Sequence, residues 1–531
     1  MALMNHLIHD SLFETAARTP AAAALAYGDS RCSYAQLAAQ VRAVAALLLR
    51  AKLEPGARVA VYMEKRIENV AAMFGAAAAG CVFVPVNPLL KPEQVAYILA
   101  DCNVRLLATT AERLAQLAPV LARCPGLRAV LLADGDVAPA SAALPVLAWP
   151  AEAGTDADAT PHRRIDTDVA AILYTSGSTG QPKGVVLSHR NMVAGAQSVA
   201  HYLDVRADDR LLAVLPLSFD YGLSQLTTAF LRGASVVLMN YLFPKDIVAM
   251  VARERITGLA AVPPLWIALA RLAWPADCTL RFITNSGGAM PVPTVQALRE
   301  ILPDTHIFLM YGLTEAFRST YLPPEEVARR PDSIGRAIPN AEILVVRPDG
   351  TPCDADEPGE LVHRGALVAL GYWNDPARTA QRFRPAPGHD PGLPLPEPAV
   401  WSGDTVRRDA DGYLYFIGRS DDMIKVSGYR ISPTEIESVL HATGLVAEAA
   451  AFGIDHPQLG QAIAVIAVPV EEGAEGENDA AAALLAECKR RLPAYMVPAH
   501  IDLRAGPLPR NPNGKIDRNL LRQTLQTNDA S

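Results

Sequence analysis

The sequence predicts an α/β fold built on parallel sheets, and three observations carry that prediction. Short apolar runs alternate with stretches of helical spacing from Ser33 through Tyr311, the pattern of strand–helix–strand units. A chain of 531 residues is too long for one core and points to roughly two to four domains or subdomains. Half of the residues are hydrophobic and a fifth are charged, the balance of a globular protein.

Composition also excludes some classes. A net charge of −8 gives no electrostatic footprint for nucleic acid or an anionic membrane. The seven cysteines (Cys32, Cys81, Cys102, Cys124, Cys278, Cys353, Cys488) are scattered, odd in number and form no Cys-x-x-Cys pair. This predicts a reducing compartment, without a disulfide framework or a zinc site. His6, His9 and Asp10 interrupt the N-terminus, so no signal peptide is expected. The longest uncharged run, Asn69 to Leu90, is broken by Gly75, Gly80 and Pro85. It reads as a buried helix ending near Gly80 and a buried strand Cys81 to Pro85, not as a membrane span. The expected location is cytoplasmic, with no membrane insertion.

In chain order, Ser33 is the expected N-cap of a helix through Leu48. A strand Ala57 to Met63, a helix Glu68 to Ala79, a strand from Cys81 and a helix Pro92 to Leu99 follow. Residues 149–168 read as a connection, and Ser188 as the N-cap of a helix through Ala200. Further strands are expected at Leu211 to Leu215, Ser235 to Met239, Ile256 to Val262 and from Phe282, with helices at Asp246 to Glu254 and from Pro263. An all-β section surrounds the turn Pro348-Asp349-Gly350. Arg384 to Ala399 holds six prolines and is expected as an extended loop. Ser432, Pro433 and Glu435 are placed to start a helix as N-cap, N1 and N3.

The chemistry is concentrated in the stretch Leu173 to Val185. Gly177, Gly180 and Gly184 leave backbone amides open to close approach. Thr175, Ser176, Ser178, Thr179 and Lys183 crowd the same loop, after an apolar strand-like run from Val169. Amides and hydroxyls that donate to phosphate oxygens, with a lysine to offset charge, make a polyphosphate cradle. It is not a Walker P-loop, because Pro182 precedes Lys183 and Gly184 follows it. Four later segments complete the pattern: Tyr311-Gly312-Leu313-Thr314-Glu315, Trp401-Ser402-Gly403-Asp404, Gly418-Arg419-Ser420-Asp421 and Asn513-Gly514-Lys515. Asn-Gly is a tight-turn dipeptide, so Lys515 is projected from a turn tip.

These motifs, in this order, resemble the AMP-forming adenylating enzymes: acyl-CoA synthetases, adenylation domains of peptide synthetases, and luciferases. The resemblance covers nearly the whole chain. It implies a large N-terminal domain (residues 1–420) of parallel α/β subdomains plus a small β-barrel. A small, mobile α+β C-terminal domain (421–531) would follow. The implied substrates and cofactors are ATP, Mg²⁺, a small carboxylic or amino acid, and CoA or a carrier protein's phosphopantetheine.

The resemblance also implies roles. The loop from Thr175 to Gly180 and Lys183 would hold the β- and γ-phosphates. Tyr311, with Gly312 and Gly288, would line the adenine site; Thr314 would bond the α-phosphate, and Glu315 would hold the metal. Asp404 would take the ribose hydroxyls, Arg419 would contact ribose or phosphate, Asp421 would be the hinge, and Lys515 would bridge the substrate carboxylate and the α-phosphate. Lys425, Gly428 and Tyr429 would serve the thioester step. Phe219, Asp220 and Gly287 would shape the acid's pocket. Asp220 has two readings. As part of a Phe-Asp pair it would bind a substrate ammonium group, since a buried cation needs an opposite charge; alternatively it caps the helix Gly222 to Phe230. The family's amino-acid motif continues with Ser where this chain has Gly222. The segments Ser218–Gly222 and Thr314–Pro324 resemble a bacterial branch, the acyl-CoA ligases of exosortase systems.

The expected function is therefore an AMP-forming acyl-CoA ligase. One alternative is a stand-alone amino-acid-activating ligase that loads a carrier protein; the tail after Lys515, roughly four turns of helix at most, has no Gly-x-Asp-Ser attachment site. The other alternative is a non-catalytic nucleotide-binding scaffold, which would need none of Lys183, Glu315, Asp404 and Lys515.

Overall fold

Local signals start the elements where the sequence places them. The Ser33 hydroxyl accepts the Gln36 amide at 3.2 Å, and the Gln36 side chain accepts the Ser33 amide at 2.8 Å. This reciprocal cap opens the helix Tyr34–Arg50. Ser188 does the same for His189–Tyr202, accepting the Asn191 amide at 3.2 Å. The uncharged run is the helix Ile67–Ala78 and the strand Val82–Pro85. Among the described residues no helix is long and apolar enough to cross a membrane. Gly75 lets this helix press against Tyr34–Arg50: a Cβ there would lie 2.6 Å from the Val44 Cγ1, too close for any side chain.

The computed structural model describes residues 6–135, 144–150, 160–175, 182–390, 392–419, 422–426, 429–456, 460–470, 477–511 and 515–528. Two large sheets organise its N-terminal part. A nine-stranded sheet has a parallel core in the order His306–Tyr311, Phe282–Asn285, Gly258–Ala261, Arg210–Ala213, Ser235–Leu238, Ala23–Tyr27. An eight-stranded sheet has a parallel core in the order Val169–Thr175, Val82–Pro85, Arg58–Tyr62, Leu106–Thr109, Ala129–Leu132, Val146–Ala148. Helices separate most of the consecutive parallel strands, as such connections usually require. Apart from the edge strand Val146–Ala148, the core strands are buried along most of their length, which is why they read as continuous apolar runs.

The all-β section is a five-stranded antiparallel sheet of Ala341–Val346, Gly359–Gly365, Phe383–Pro385, Pro398–Arg408 and Leu414–Arg419. The proline-rich stretch is not loop throughout: its ends pair, Arg384 with Ala399 and Pro385 with Pro398. Prolines are tolerated there because the short strand lies at the sheet's edge.

The C-terminal part has its own core. The strands Val446–His456 and Gly460–Pro469 pair along their lengths, and His500–Leu503 joins in parallel. Ile436, Leu440, Val465 and Leu484 are buried together. Ser432 corrects one expectation. It stands at the N-cap of Pro433–His441 without a side-chain cap; its hydroxyl donates to the Ile417 carbonyl and so ties this helix to the preceding strand. The expected domain boundary falls at residues 420 and 421, outside the described residues.

Candidate active site

The candidate site lies where the parallel strands end, the crevice at which open α/β sheets bind ligands. The strands Val169–Thr175 and Lys183–Ser188 are antiparallel and place Thr175 opposite Lys183. The phosphate-loop residues Ser176, Gly177, Ser178, Thr179 and Gly180 lie outside the described residues. Thr175 Oγ1, at the loop's entrance, is buried without a hydrogen-bond partner among the described residues.

Lys183 meets Glu315 across this entrance. Its ammonium donates to Glu315 Oε1 at 2.7 Å and to the Tyr372 hydroxyl at 2.9 Å. The Tyr372 hydroxyl donates to the same Glu315 oxygen at 2.6 Å. Burial alone would raise the Glu315 pKa, but the Lys183 ammonium and the Tyr372 hydroxyl outweigh it and hold the carboxyl down at about 2. Tyr372 reaches this point because its short strand Gly371–Tyr372 pairs with Lys183–Ser188, with Tyr372 opposite Val185.

Asp220 begins the helix Asp220–Arg232, whose N-cap is Phe219. Its carboxylate does not cap that helix, and the structure corrects that reading. One oxygen accepts the Thr314 hydroxyl at 3.3 Å, and the other is 3.2 Å from Arg318 Nη1. Both charged side chains are buried, 2% exposed for Arg318 and 4% for Asp220. Arg318 also donates to the Phe317 carbonyl at 3.0 Å, and its guanidinium lies over the Tyr221 ring at 4.6 Å. Burial raises the Asp220 pKa, opposed by Arg318, Lys515 and the Thr314 hydroxyl.

A strained turn aims Arg318. Phe317 has φ 58° and ψ −53°, and the Arg318 amide donates to the Ala316 carbonyl at 2.6 Å. This is a γ-turn of the rare hand, a backbone that costs about 1–3 kcal/mol and persists only where its surroundings enforce it. Here the Phe317 ring fills the space a Cβ on Gly195 would occupy, at 2.3 Å. The turn lets Thr314, Glu315 and Arg318 face one crevice from five consecutive residues.

Tyr311 ends the strand His306–Tyr311, and its hydroxyl donates to Asp404. Asp404 also pairs with Arg419 at 3.3 Å, and the two residues are opposite each other in paired strands. Burial raises the Asp404 pKa, with Arg419 and the Tyr311 hydroxyl opposing it. Its Oδ1 is buried without a hydrogen-bond partner among the described residues, a capacity suited to a ligand hydroxyl.

Residues 512–514 lie outside the described residues, but Asn511 and Lys515 bond to each other on either side of them: the Asn511 amide donates to the Lys515 carbonyl at 2.8 Å, and Asn511 Oδ1 accepts the Lys515 amide at 3.1 Å. The Lys515 side chain enters the cleft. Its Cε lies 4.0 Å from where a Cβ on Gly287 would stand, and the Phe219 ring 3.7 Å from the same point. Gly287 has φ +85°, a left-handed conformation that favours glycine. Lys515 is exposed to the cleft; desolvation of its ammonium there, with repulsion from Arg419, lowers its pKa, while Asp404, Asp220 and Glu315 oppose the fall. Gly288 stands against Pro263. Lys425 and Tyr429 lie on the paired strands Ile424–Val426 and Tyr429–Ile431; Gly428 and Asp421 are outside the described residues.

Sequence reasoning missed Tyr372 and Arg318. Tyr372 stood in a Gly-Tyr-Trp run, and Arg318 three residues beyond Glu315, but neither carries a motif that names its partner. The site also fits Mg²⁺. Glu315 is an ionised carboxylate that already holds one cation, and Mg²⁺ takes one or two carboxylates plus substrate phosphates. The Thr175 hydroxyl, without a hydrogen-bond partner among the described residues, fits a phosphate oxygen.

This fold and site define an AMP-forming adenylating ligase. The chain belongs to the AMP-binding enzyme family: that family's model matches residues 12–373, and the AMP-binding enzyme C-terminal domain matches residues 435–515. The chain is 36% identical to an L-proline–[L-prolyl-carrier protein] ligase of Streptomyces coelicolor, over 92% of this chain and 91% of that protein. It is 30% identical to a feruloyl-CoA synthase of an Amycolatopsis species, over 94% of this chain and 95% of that one. Among solved structures, the Bacillus subtilis o-succinylbenzoate CoA synthetase (MenE) with its acyl-adenylate intermediate has a TM-score of 0.80 at 26% identity. It covers 96% of this chain and 97% of its own. ATP-bound MatB from Rhodopseudomonas palustris has a TM-score of 0.84 at 25% identity, covering 98% and 99%. MenE has also been solved with ATP and a magnesium ion; enzymes of this class use both.

Proposed function

We propose that this chain is an acid–thiol ligase that joins a carboxylic acid to CoA through an acyl-adenylate. The observation that carries the reading is the placement of Lys515. Its side chain enters the cleft next to Phe219 and Gly287, where the charges of Arg419, Asp404, Asp220 and Glu315 act on its ammonium.

In the first step an oxygen of the substrate carboxylate attacks the α-phosphorus of ATP. The Pα–O bond to the β-phosphate breaks and pyrophosphate leaves. No protein nucleophile is needed; positioning and charge stabilisation suffice, as in phosphoryl transfer. Lys183, Thr175 and the loop Ser176–Gly180 hold the β- and γ-phosphates. Thr314, whose hydroxyl donates to Asp220 in this structure, would turn it to the α-phosphate. Tyr311, Gly312 and Gly288 line the adenine site, and Asp404 with Arg419 holds the ribose. Lys515 steadies charge between the carboxylate and the α-phosphate. Glu315 would hold the Mg²⁺ that accompanies ATP, whose chemistry is to neutralise phosphate charge.

In the second step a thiol sulfur attacks the adenylate carbonyl, the carbon–oxygen bond to AMP breaks, and the thiol proton passes to solvent. We assign this step to a conformation in which the C-terminal domain, hinged at Asp421, withdraws Lys515 and presents Lys425, Gly428 and Tyr429. Domain closure that completes a site has many precedents.

Carrier-protein loading is the second reading, favoured by the likeness to prolyl-carrier protein ligases. The test is acid-dependent ATP–pyrophosphate exchange, followed by thioester formation with CoA or with a phosphopantetheinylated carrier. Exchange with acids and product with CoA are expected. Product only on the carrier would replace the CoA assignment, and ATP binding without exchange would sink the ligase reading.

A further inference from the structure

The charges around the cleft fall into pairs. Lys183 is matched by Glu315 at 2.7 Å, Arg318 by Asp220 at 3.2 Å, and Arg419 by Asp404 at 3.3 Å. Lys515 has no ion-pair partner among the described residues. One unmatched cation beside the acid pocket suits one substrate carboxylate.

The pairing bears most on Asp220. A buried carboxylate beside an acid pocket would draw a substrate cation to itself if it were free. It is not free. Arg318 is 2% exposed and sits 3.2 Å from it, so the carboxylate stays paired even when the Thr314 hydroxyl turns from its other oxygen to the α-phosphate. The pair is held by more than proximity. The γ-turn at Phe317 forces Arg318 toward Asp220, and the Tyr221 ring packs on the guanidinium at 4.6 Å. A strained residue next to a buried charge marks a position that the surrounding structure over-determines. The fit to Asp220 is also incomplete: Arg318 Nε and Nη2 are buried without hydrogen-bond partners among the described residues. A guanidinium placed only to build the core would be expected to find such partners.

We propose that the Asp220–Arg318 ion pair sets the substrate class: it cancels the pocket's negative charge, so the enzyme activates a plain carboxylic acid and excludes its α-amino counterpart. An α-ammonium group entering this pocket meets no uncommitted anion, and its desolvation goes uncompensated. The inference rests on the adenylating reading above and adds the class of acid.

The test is ATP–pyrophosphate exchange with matched pairs that differ only in the α-amino group. Suitable pairs are 4-methylpentanoate with leucine, 3-phenylpropanoate with phenylalanine, and glutarate with glutamate. The native enzyme is expected to favour the amine-free member of each active pair at least about ten-fold, the loss that one uncompensated polar group produces. Arg318→Met should leave Asp220 free and move the ratio toward the amino acid by about the same factor. Asp220→Asn should leave Arg318 free and improve glutarate relative to the monoacids; it keeps the proposal falsifiable if Arg318→Met does not fold. A native preference for amino acids, or ratios unmoved in folded variants, would overturn the proposal and leave the ligase reading standing. Exchange with no acid, while ATP binds, would overturn both.

Discussion

The Lys183 ammonium and the Glu315 carboxylate form a buried ion pair at 2.7 Å, with the Tyr372 hydroxyl bonded to both. The lysine of the phosphate loop and the carboxylate proposed for the metal thus neutralise one another. Mg·ATP would exchange both partners at once, phosphate for the lysine and metal for the carboxylate. Such an exchange keeps each buried charge compensated, which a stepwise opening would not.

Tyr372 would then keep Glu315 oriented after Lys183 leaves. Tyr372→Phe is expected to raise the KM for ATP about ten-fold, the scale of a hydrogen bond to a charged group, with the KM for the acid unchanged. Steady-state kinetics with each substrate varied checks this. Equal changes in both constants would reduce Tyr372 to a structural residue.

Lys515→Ala should abolish adenylate formation while leaving thioester formation from synthetic adenylate largely intact; equal loss of both would remove its assigned role. Its pKa is lowered, by burial first and by Arg419 second. The ammonium is therefore lost, as pH rises, below the usual lysine value of about 10.4. Pyrophosphate exchange should fall along an alkaline limb in that range, and Lys515→Arg should shift the limb upward. An unshifted limb would assign it to another group.

Glu315 predicts acid sensitivity. Its folded pKa is about 2 against an ordinary 4.5, so the unfolded chain takes up the proton first as pH falls. The stabilisation is fully present above about 4.5 and is lost on descending to about 2. It is on the order of 3 kcal/mol for a shift of this size. Denaturant titrations of the native protein and Glu315→Gln across that window should converge as pH falls. Parallel curves would show that Glu315 does not carry the linkage.

Gly335 anchors the edge of the nine-stranded sheet. Its φ is +85°, and a Cβ would stand 1.9 Å from the Tyr321 carbonyl oxygen, a backbone atom that cannot swing aside. Its own carbonyl accepts the Leu414 amide at 2.8 Å, joining this edge to the five-stranded sheet. Gly335→Ala is expected to cost about 3 kcal/mol or more in unfolding free energy, among the larger single-residue effects. A loss below about 1 kcal/mol would mean that the strand shifts freely.

The local levels of this structure can be read along the chain. Ser33 and Ser188 cap helices because a hydroxyl and an amide three residues apart are neighbours in any helix start. The buried strands read as apolar runs; the Asn513-Gly514 turn expected before Lys515 lies outside the described residues. The motif residues Thr314, Glu315, Asp404 and Lys515 were nameable because their spacing is local.

What the chain could not reveal is which charges meet. Asp220 stood open between an ammonium anchor and a helix cap. Its partner, Arg318, lies 98 residues away and reaches it only through the γ-turn at Phe317. Tyr372 lies 189 residues from Lys183 and joins it only because a two-residue strand completes the sheet edge. Periodicity records whether a residue is buried, since burial repeats with the local backbone period. Pairing of buried charges depends on how separate elements pack, and that is settled only when the sheets and turns close around them.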